Sequence, residues 1–280
     1  MEVLSDILTG LRTAGSVYFC DFLSPPWELA YENEPRAIFH RVRRGRCSIE
    51  VDGDRHHLAP GDFVFLAPGM SHTVVSDSDS DPDTLLLCGY CDFAADTDDV
   101  LIKALPRFVL MTHDELDKSP WLQRTLEHLG AEYMSAAPGS ELTVNKLTEV
   151  LLVQLLRIDF GRSGDAGLIA ALKDKRIEKA LTRIHETPGA EWTMETAAEI
   201  ASMSRSGFAR RFKELLDTSF FDYLTRLRMR NARELLKTTS LRVPDIGERV
   251  GYQSELSFVK AFKKLHGMTP RAFRLSPDTG

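Results

Sequence analysis

The sequence predicts an α+β fold in two domains. An N-terminal antiparallel β jelly roll leads through a helical connector to an all-α C-terminal domain with two helix-turn-helix motifs. Three observations predict it. Between residues 37 and 91 apolar and polar residues alternate with a period of two, and turn residues recur at short intervals. After residue 110 the apolar period becomes helical. Residues 201–215 then recur as residues 251–265, fifty positions on. At 280 residues the chain has length for two ordinary domains.

The expected strands are residues 38–42, 47–51, 55–58, 63–66, 72–75 and 85–91. Gly45, Asp52-Gly53, Pro60-Gly61-Asp62 and Pro68-Gly69 punctuate them, and Asp-Gly is a strong hairpin signal. Cys20 falls on an earlier strand, the first of the domain, and Cys88 on a late one. Asp77, Asp79, Asp81 and Asp83 alternate with Ser and Pro in a loop that reads as solvated; the Gly and terminal Glu of a calcium loop do not follow them. Trp121, Leu122, Thr125, Leu126 and Leu129 form one helical stripe, and Leu147, Val150, Leu151, Leu155 and Ile158 another. Residues 161–167, Gly-Arg-Ser-Gly-Asp-Ala-Gly, read as a linker.

In the repeat, Ser204 matches Ser254, Phe208 matches Phe258, Phe212 matches Phe262, Lys213 matches Lys263 and Leu215 matches Leu265, with Ile200 against Val250 upstream. Thr193 is a candidate N-cap for the first helix of the first copy, and Pro244 is tolerated in the first turn of its counterpart. Phe208, Phe212 and Leu215 at i, i+4 and i+7 give one buried stripe, as do Phe258, Phe262 and Leu265. Short polar and basic side chains are left on the other faces: Ser204, Arg205, Ser206, Arg210 and Lys213 in the first copy, and Ser254, Glu255, Ser257, Lys260 and Lys263 in the second. Those ten are the candidate DNA-reading residues, because a major groove admits one α-helix whose early side chains reach base edges. The competing reading is a plain helical domain with solvated Lys and Arg; two copies at one offset weigh against it.

Charge divides along the chain in the same way. The overall formal charge is −6, yet residues 171–280 hold 21 Lys+Arg against 14 Asp+Glu, and the rest hold 14 against 27. The basic part is the candidate for phosphate contact, and the acidic part stays away from DNA. The start, Met1-Glu-Val-Leu-Ser-Asp, lacks the basic region of a signal peptide, and the apolar run at 150–156 is far too short to span a bilayer. A cytoplasmic protein with no membrane partner is expected.

The stretch Asp245-Ile-Gly-Glu-Arg-Val-Gly-Tyr-Gln-Ser-Glu-Leu-Ser-Phe-Val-Lys-Ala-Phe-Lys263, with Gly267-Met-Thr-Pro-Arg-Ala-Phe-Arg274 after it, resembles the second motif of the AraC/XylS transcription regulators. Residues 176–276 carry the likeness. It implies a seven-helix domain in which a long helix, about residues 221–237, joins two readers that enter successive major-groove segments. It also implies double-stranded DNA and RNA polymerase as partners, an activator's role, and a homodimer paired through the connector helices. Gly247 stands where alanine is usual, and Asp217 and Phe220 where Gly and Pro are frequent. Lys260 takes a place often held by a base-reading arginine. Gly61-Asp-Phe-Val-Phe-Leu-Ala-Pro-Gly-Met-Ser-His72 resembles the second cupin motif, and with residues 39–49 it points to the cupin-type sensor domain of one AraC subfamily. The implied division is a sensor domain at 1–110, a dimerising connector at 111–160, a linker at 161–175 and the DNA-binding domain at 176–276, with the motifs at about 193–215 and 243–265.

Cupin enzymes hold a metal through a His-x-His pair, a Glu and a later His. Here only His72 matches, His40 lacks companions, and His56-His57 should point to opposite faces of a strand. No metal, cofactor or catalytic residue is therefore expected, His40 and His72 become hydrogen-bonded lining residues, and the barrel mouth takes an effector or nothing. The alternative is a cupin metalloenzyme with an accessory DNA-binding domain, which a metal analysis would separate; a third is an architectural DNA-binding protein without a ligand. Four cysteines give no disulfide framework, and residues three apart on a strand, Cys88 and Cys91, face opposite sides. Buried structural thiols are the ordinary reading. The resemblance implies another: Cys20 and Cys88 match cysteines of oxidant-responsive AraC-type regulators, so Cys20, Cys88, His40 and His72 are the effector or redox candidates. A Cys20–Cys88 bridge would require Cα atoms within about 7 Å.

Overall fold

The computed structural model describes Val3, Asp6 and residues 13–78, 82–93, 105–162 and 167–276. These form two compact units, one holding residues 13–78, 82–93 and 105–162, the other Val3, Asp6 and residues 167–276.

Among the described residues of the first unit, nine strands make two antiparallel sheets. They are β1 (Thr13–Leu23), β2 (Glu28–Tyr31), β3 (Ala37–Arg44), β4 (Cys47–Val51), β5 (Asp54–Leu58), β6 (Phe63–Leu66), β7 (His72–Val75), β8 (Thr84–Phe93) and β9 (Phe108–Met111). One sheet runs β1-β8-β3-β6-β9 and the other β2-β7-β4-β5. Period-two alternation sends Val42, Val64, Leu66 and Leu86 of one sheet against Ile49, Val51, Leu58 and Val74 of the other, and all eight are buried. All six expected strands are present, three of them with unchanged bounds. Asp52 and Gly53 both adopt positive φ (52° and 87°), the tight turn between β4 and β5 that such a pair favours.

Helices α1 (His113–Asp117), α2 (Pro120–Ser135) and α3 (Ser140–Arg162) follow. Here the expected stripes are corrected. Helix α2 buries Leu122, Thr125, Leu126 and Leu129, but Trp121 is 76% exposed. Helix α3 is turned: it buries Val144, Thr148, Leu151, Leu152, Leu155 and Leu156, leaving Val150 44% exposed and Leu147 and Ile158 half-buried. The helix is apolar on two sides, so periodicity could not tell which side meets β1, against which α3 packs.

The second unit contains α4 (Leu168–Lys173), α5 (Lys175–Glu186), α6 (Met194–Ile200), α7 (Arg205–Leu216), α8 (Phe220–Thr238), α9 (Val243–Arg249), α10 (Glu255–His266) and α11 (Pro270–Leu275). From α5 onward there are seven helices, as the resemblance implied. Two boundaries differ from expectation. The supposed linker holds α4, because Leu168, Ala170 and Ala171 are buried. Asp6, assigned by sequence to the β domain, is bound by His185 of α5 and by Arg230 of α8 (2.5 Å to the latter). Among the described residues no helix is long and apolar enough to cross a membrane.

Candidate nucleic-acid interface

Both readers begin with a serine cap. The Ser204 hydroxyl accepts from the Gly207 amide (3.1 Å) at the start of α7, and the Ser254 hydroxyl accepts from the Ser257 amide (3.3 Å) at the start of α10. Ser257 turns its own hydroxyl back onto the Ser254 carbonyl (2.9 Å). Ser204, Ser254 and Ser257 thus define the helix starts from which the neighbouring side chains project.

The stripes fold as the spacing predicts, with one exception. Phe208, Phe212 and Leu215 are buried in α7, and Phe208 and Phe212 meet Phe220 edge-on. Phe258 and Phe262 are buried in α10, against Met229, Ala232 and Leu236 of α8. Leu265 is instead 38% exposed. His266 takes the inward place one residue later, its ring 4.5 Å from that of Phe262. Burial lowers the pKa of His266 to about 4, helped by nearby Arg233, so it serves as a neutral ring in the core.

The upstream pairing needs a second correction. Thr193 and Arg242 are the N-caps of α6 and α9, and Met203 donates to the Ala198 carbonyl as Tyr252 does to Gly247. The first helix and its turn therefore repeat at an offset of 49, and the recognition helix at 50. Ala201 corresponds to Val250, both buried, and the second turn is one residue longer. Gly247 is then the counterpart of Ala198. A Cβ at 247 would lie 3.1 Å from the Phe258 ring, so glycine there lets α9 and α10 approach.

On the outward faces Ser206, Arg210 and Lys213 of α7 are exposed, as are Glu255, Lys260 and Lys263 of α10. Arg210 is 80% exposed, with Glu214 3.7 Å away. Arg205 is engaged by Glu195 of α6 at 2.5 Å, so a phosphate would have to displace that carboxylate. Arg211, next in sequence to Arg210, belongs to the scaffold: Asp174, the N-cap of α5, holds its Nε at 2.9 Å. Sequence reasoning missed Arg228 of α8. Its guanidinium donates to the carbonyls of Pro188 (2.8 Å), Ala190 (2.8 Å) and Gly251 (3.1 Å). No spacing rule reveals a cation that serves backbone carbonyls.

In the sheet unit His40 and His72 lie together. His72 Nδ1 stands 3.2 Å from the Met70 carbonyl, which can only accept, so that nitrogen carries the proton. His72 Nε2 must then accept from His40 Nε2 (2.9 Å), and His40 Nδ1 from the Cys88 thiol (3.0 Å). Burial, and for His40 the neighbouring His72, hold both rings' pKa values below the ordinary histidine range, which keeps this chain neutral. Burial likewise pushes the Cys88 thiol far up, against hydrogen bonds from Tyr31 and Tyr18. Both His40 nitrogens are spent, and among the described residues no three His, Cys, Asp or Glu side chains are arranged to hold a metal ion. The residues do not fit a cupin metal centre.

Cys20 and Cys88 are brought to adjoining strands but not together. A bulge at Tyr18 shifts the β1–β8 register, so Phe19 lies opposite Cys88 and Cys20 opposite Leu87. Residues directly opposite share a face; hence the two cysteines are on different faces of the sheet. All four cysteines are free thiols. Half-buried Cys20 has the Arg43 guanidinium 3.6 Å from its sulfur. The solvated acidic loop is partly revised too: Asp77 is bound by Ser48, Arg55 and His57, while Asp79 and Asp81 lie outside the described residues.

The chain matches the cupin family over residues 2–160 and a helix-turn-helix domain family over residues 197–276. It is 30% identical to an AraC-like transcription regulator of Streptomyces antibioticus, over 99% of each chain. It is 27% identical to the RCS-specific HTH-type transcriptional activator RclR of Escherichia coli K12, over 98% of this chain and 97% of that one. Among solved structures, the DNA-binding domain of AdpA in complex with a target DNA is 29% identical, with a TM-score of 0.34, covering 35% of this chain and 87% of that one. Both full-length relatives are named as transcription regulators. The chain belongs to the AraC family of DNA-binding transcription regulators, with a cupin domain ahead of its helix-turn-helix domain.

Proposed function

We propose that α7 and α10 are paired readers that enter successive major-groove segments of double-stranded DNA, with Arg210 and Lys260 as the principal contacts. Arg205, Ser206, Lys213, Glu255 and Lys263 flank them. The observation that carries this reading is the matched exposure of the two helices: fully buried phenylalanines inside, and outside a stripe of Ser206, Arg210 and Lys213 in one and of Lys260 and Lys263 in the other. Arg210→Ala tests it. Arg210 lies off the core stripe, so the variant should fold normally yet lose about 1–3 kcal/mol of binding and relax preference at one base position. Unchanged affinity and preference at physiological salt would remove Arg210 from the interface.

The protein acts in this reading as a cytoplasmic homodimer on repeated half-sites, and contacts RNA polymerase as an activator. The second seam of α2 and α3, where exposed Trp121 and Val150 lie with half-buried Ile158, supports a self-association surface. Its signal enters through the cupin domain. The relative named as an RCS-specific activator favours an oxidant received at Cys20, the half-buried thiol beside a guanidinium. The neutral His40–His72–Cys88 chain supports a lining role for those residues.

A further inference from the structure

The two recognition helices repeat one frame, and two outward positions of the first turn break the likeness in kind. With the caps Ser204 and Ser254 superimposed, Phe208 answers Phe258, Phe212 answers Phe262, Arg210 answers Lys260 and Lys213 answers Lys263. Every pair keeps its chemistry. At the first residue of each helix, however, Arg205 is answered by Glu255, a reversal of charge, and at the second Ser206 is answered by Leu256, a change from polar to apolar.

Leu256 is 65% exposed and plays no part in the core, which Phe258 and Phe262 complete without it. It lies one helical turn before Lys260, at i and i+4, so the two share a face, and Lys263 continues the same face at i+7. Its sequence neighbours Glu255 and Ser257 are exposed as well. A bare leucine therefore heads the basic stripe of the second reader, at the end of the helix that reaches base edges. The major-groove edge of a base pair offers one apolar group, the 5-methyl of thymine.

We infer that Leu256 reads a thymine methyl, resting on the assignment of α10 as a groove reader. The half-site under α10 then demands a thymine at one position. The half-site under α7 makes no such demand, because the Ser206 hydroxyl hydrogen-bonds donors and acceptors alike. The two half-sites of one protomer are consequently unequal, and the protein has a fixed direction on its DNA.

The test uses the full-length protein and a duplex selected in vitro for binding to it. Each thymine is replaced in turn by deoxyuridine, which deletes only the methyl. One substitution under α10 should weaken parental binding about fourfold, which is about 0.8 kcal/mol at 1.4 kcal/mol per tenfold. Leu256→Ala should show the same loss on the thymine duplex, and no further loss on the uracil one, with an unchanged melting curve. The inference is overturned if every uracil is tolerated, if the selected duplex has no thymine under α10, or if Leu256→Ala keeps its full response to the methyl. Lys260→Ala separates the two levels. A general loss of affinity with no methyl effect removes Leu256 alone, whereas unchanged binding in both variants removes α10 as a reader and this inference with it.

Discussion

Arg228, midway along α8, donates to the carbonyl of Gly251, the residue with φ of 90° in the turn between α9 and α10. The same guanidinium holds the carbonyls of Pro188 and Ala190 in the loop before α6. One side chain on the joining helix thus sets where both readers begin, and a Cβ at Gly251 would come within 2.6 Å of it. Arg228→Ala should cost about 3 kcal/mol, since three carbonyls lose a charged donor and are left partly buried. Arg228→Lys should recover only part, because an ammonium lacks the planar fork. The variants should also tolerate altered spacing between half-sites. Parental melting and parental spacing dependence in Arg228→Ala would refute this.

Asp6 makes stability depend on acid. Burial alone would raise its carboxyl pKa, but the hydrogen bond from His185 and the Arg230 guanidinium outweigh that and bring it to about 2. The unfolded value is near 3.9. A depressed carboxyl contributes stability that is present above the unfolded value and lost as pH falls through the folded one. After discounting for solvent screening, the contribution is about 1 kcal/mol at neutral pH. The stability difference between parent and Asp6→Asn should therefore be constant above about pH 5 and shrink between pH 4 and 2, by chemical denaturation of the full-length chain. A difference that ignores pH would contradict the assignment.

The corrected stripe of α10 gives a paired prediction. Phe262 is fully buried between Phe258, His266 and Phe273, so Phe262→Ala should cost about 3–5 kcal/mol through the cavity it leaves, and abolish DNA binding. Leu265→Ala, at an exposed site, should stay within about 0.5 kcal/mol of the parent. If Leu265→Ala proved the more damaging, the helix would be buried through the face that the sequence spacing suggested.

Much of the fold can be read from the chain because the signals are local. The repeat of Ser-x-x-x-Phe-x-x-x-Phe-Lys marks both recognition helices, and alternation with Asp52-Gly53 marks a hairpin. What escaped the sequence is non-local. The one-residue difference between turns hid the match of Ala201 to Val250, because a single offset of 50 sets Val250 against Ile200 instead. The bulge at Tyr18 hid the faces of Cys20 and Cys88. Without it Cys20 would pair with Leu86 and share the face of Cys88; one extra residue reverses that. The roles of Arg228 and Asp6 depend on partners 40 and 224 residues away at the furthest. Two-sided apolarity left the orientation of α3 undetermined.

The second seam of the connector predicts self-association. Trp121 is 76% exposed and contributes nothing to the buried side of α2, so Trp121→Glu should melt like the parent. In sedimentation velocity it should shift the population toward the monomer, because a carboxylate there would be desolvated at the interface. Loss of cooperative binding to paired half-sites should accompany that shift. A variant as dimeric as the parent would move the interface elsewhere.

Oxidation should separate the two thiols that the family resemblance groups together. Cys88 is fully buried, donates to His40 and is pushed far above the ordinary thiol range, so it is a poor target for oxidant. Cys20 is half-buried on the other face, beside Arg43. If an oxidant is the signal, Cys20→Ser should abolish the transcriptional response while leaving DNA affinity of the reduced protein unchanged. Cys88→Ser should keep the response, since a hydroxyl can donate to His40 in the thiol's place. Mass spectrometry of the treated parent should then find Cys20 oxidised without a Cys20–Cys88 crosslink. A crosslinked peptide would mean that the β1–β8 register slips on oxidation. A parent that ignores oxidant altogether would turn attention to a small molecule held in the cupin domain.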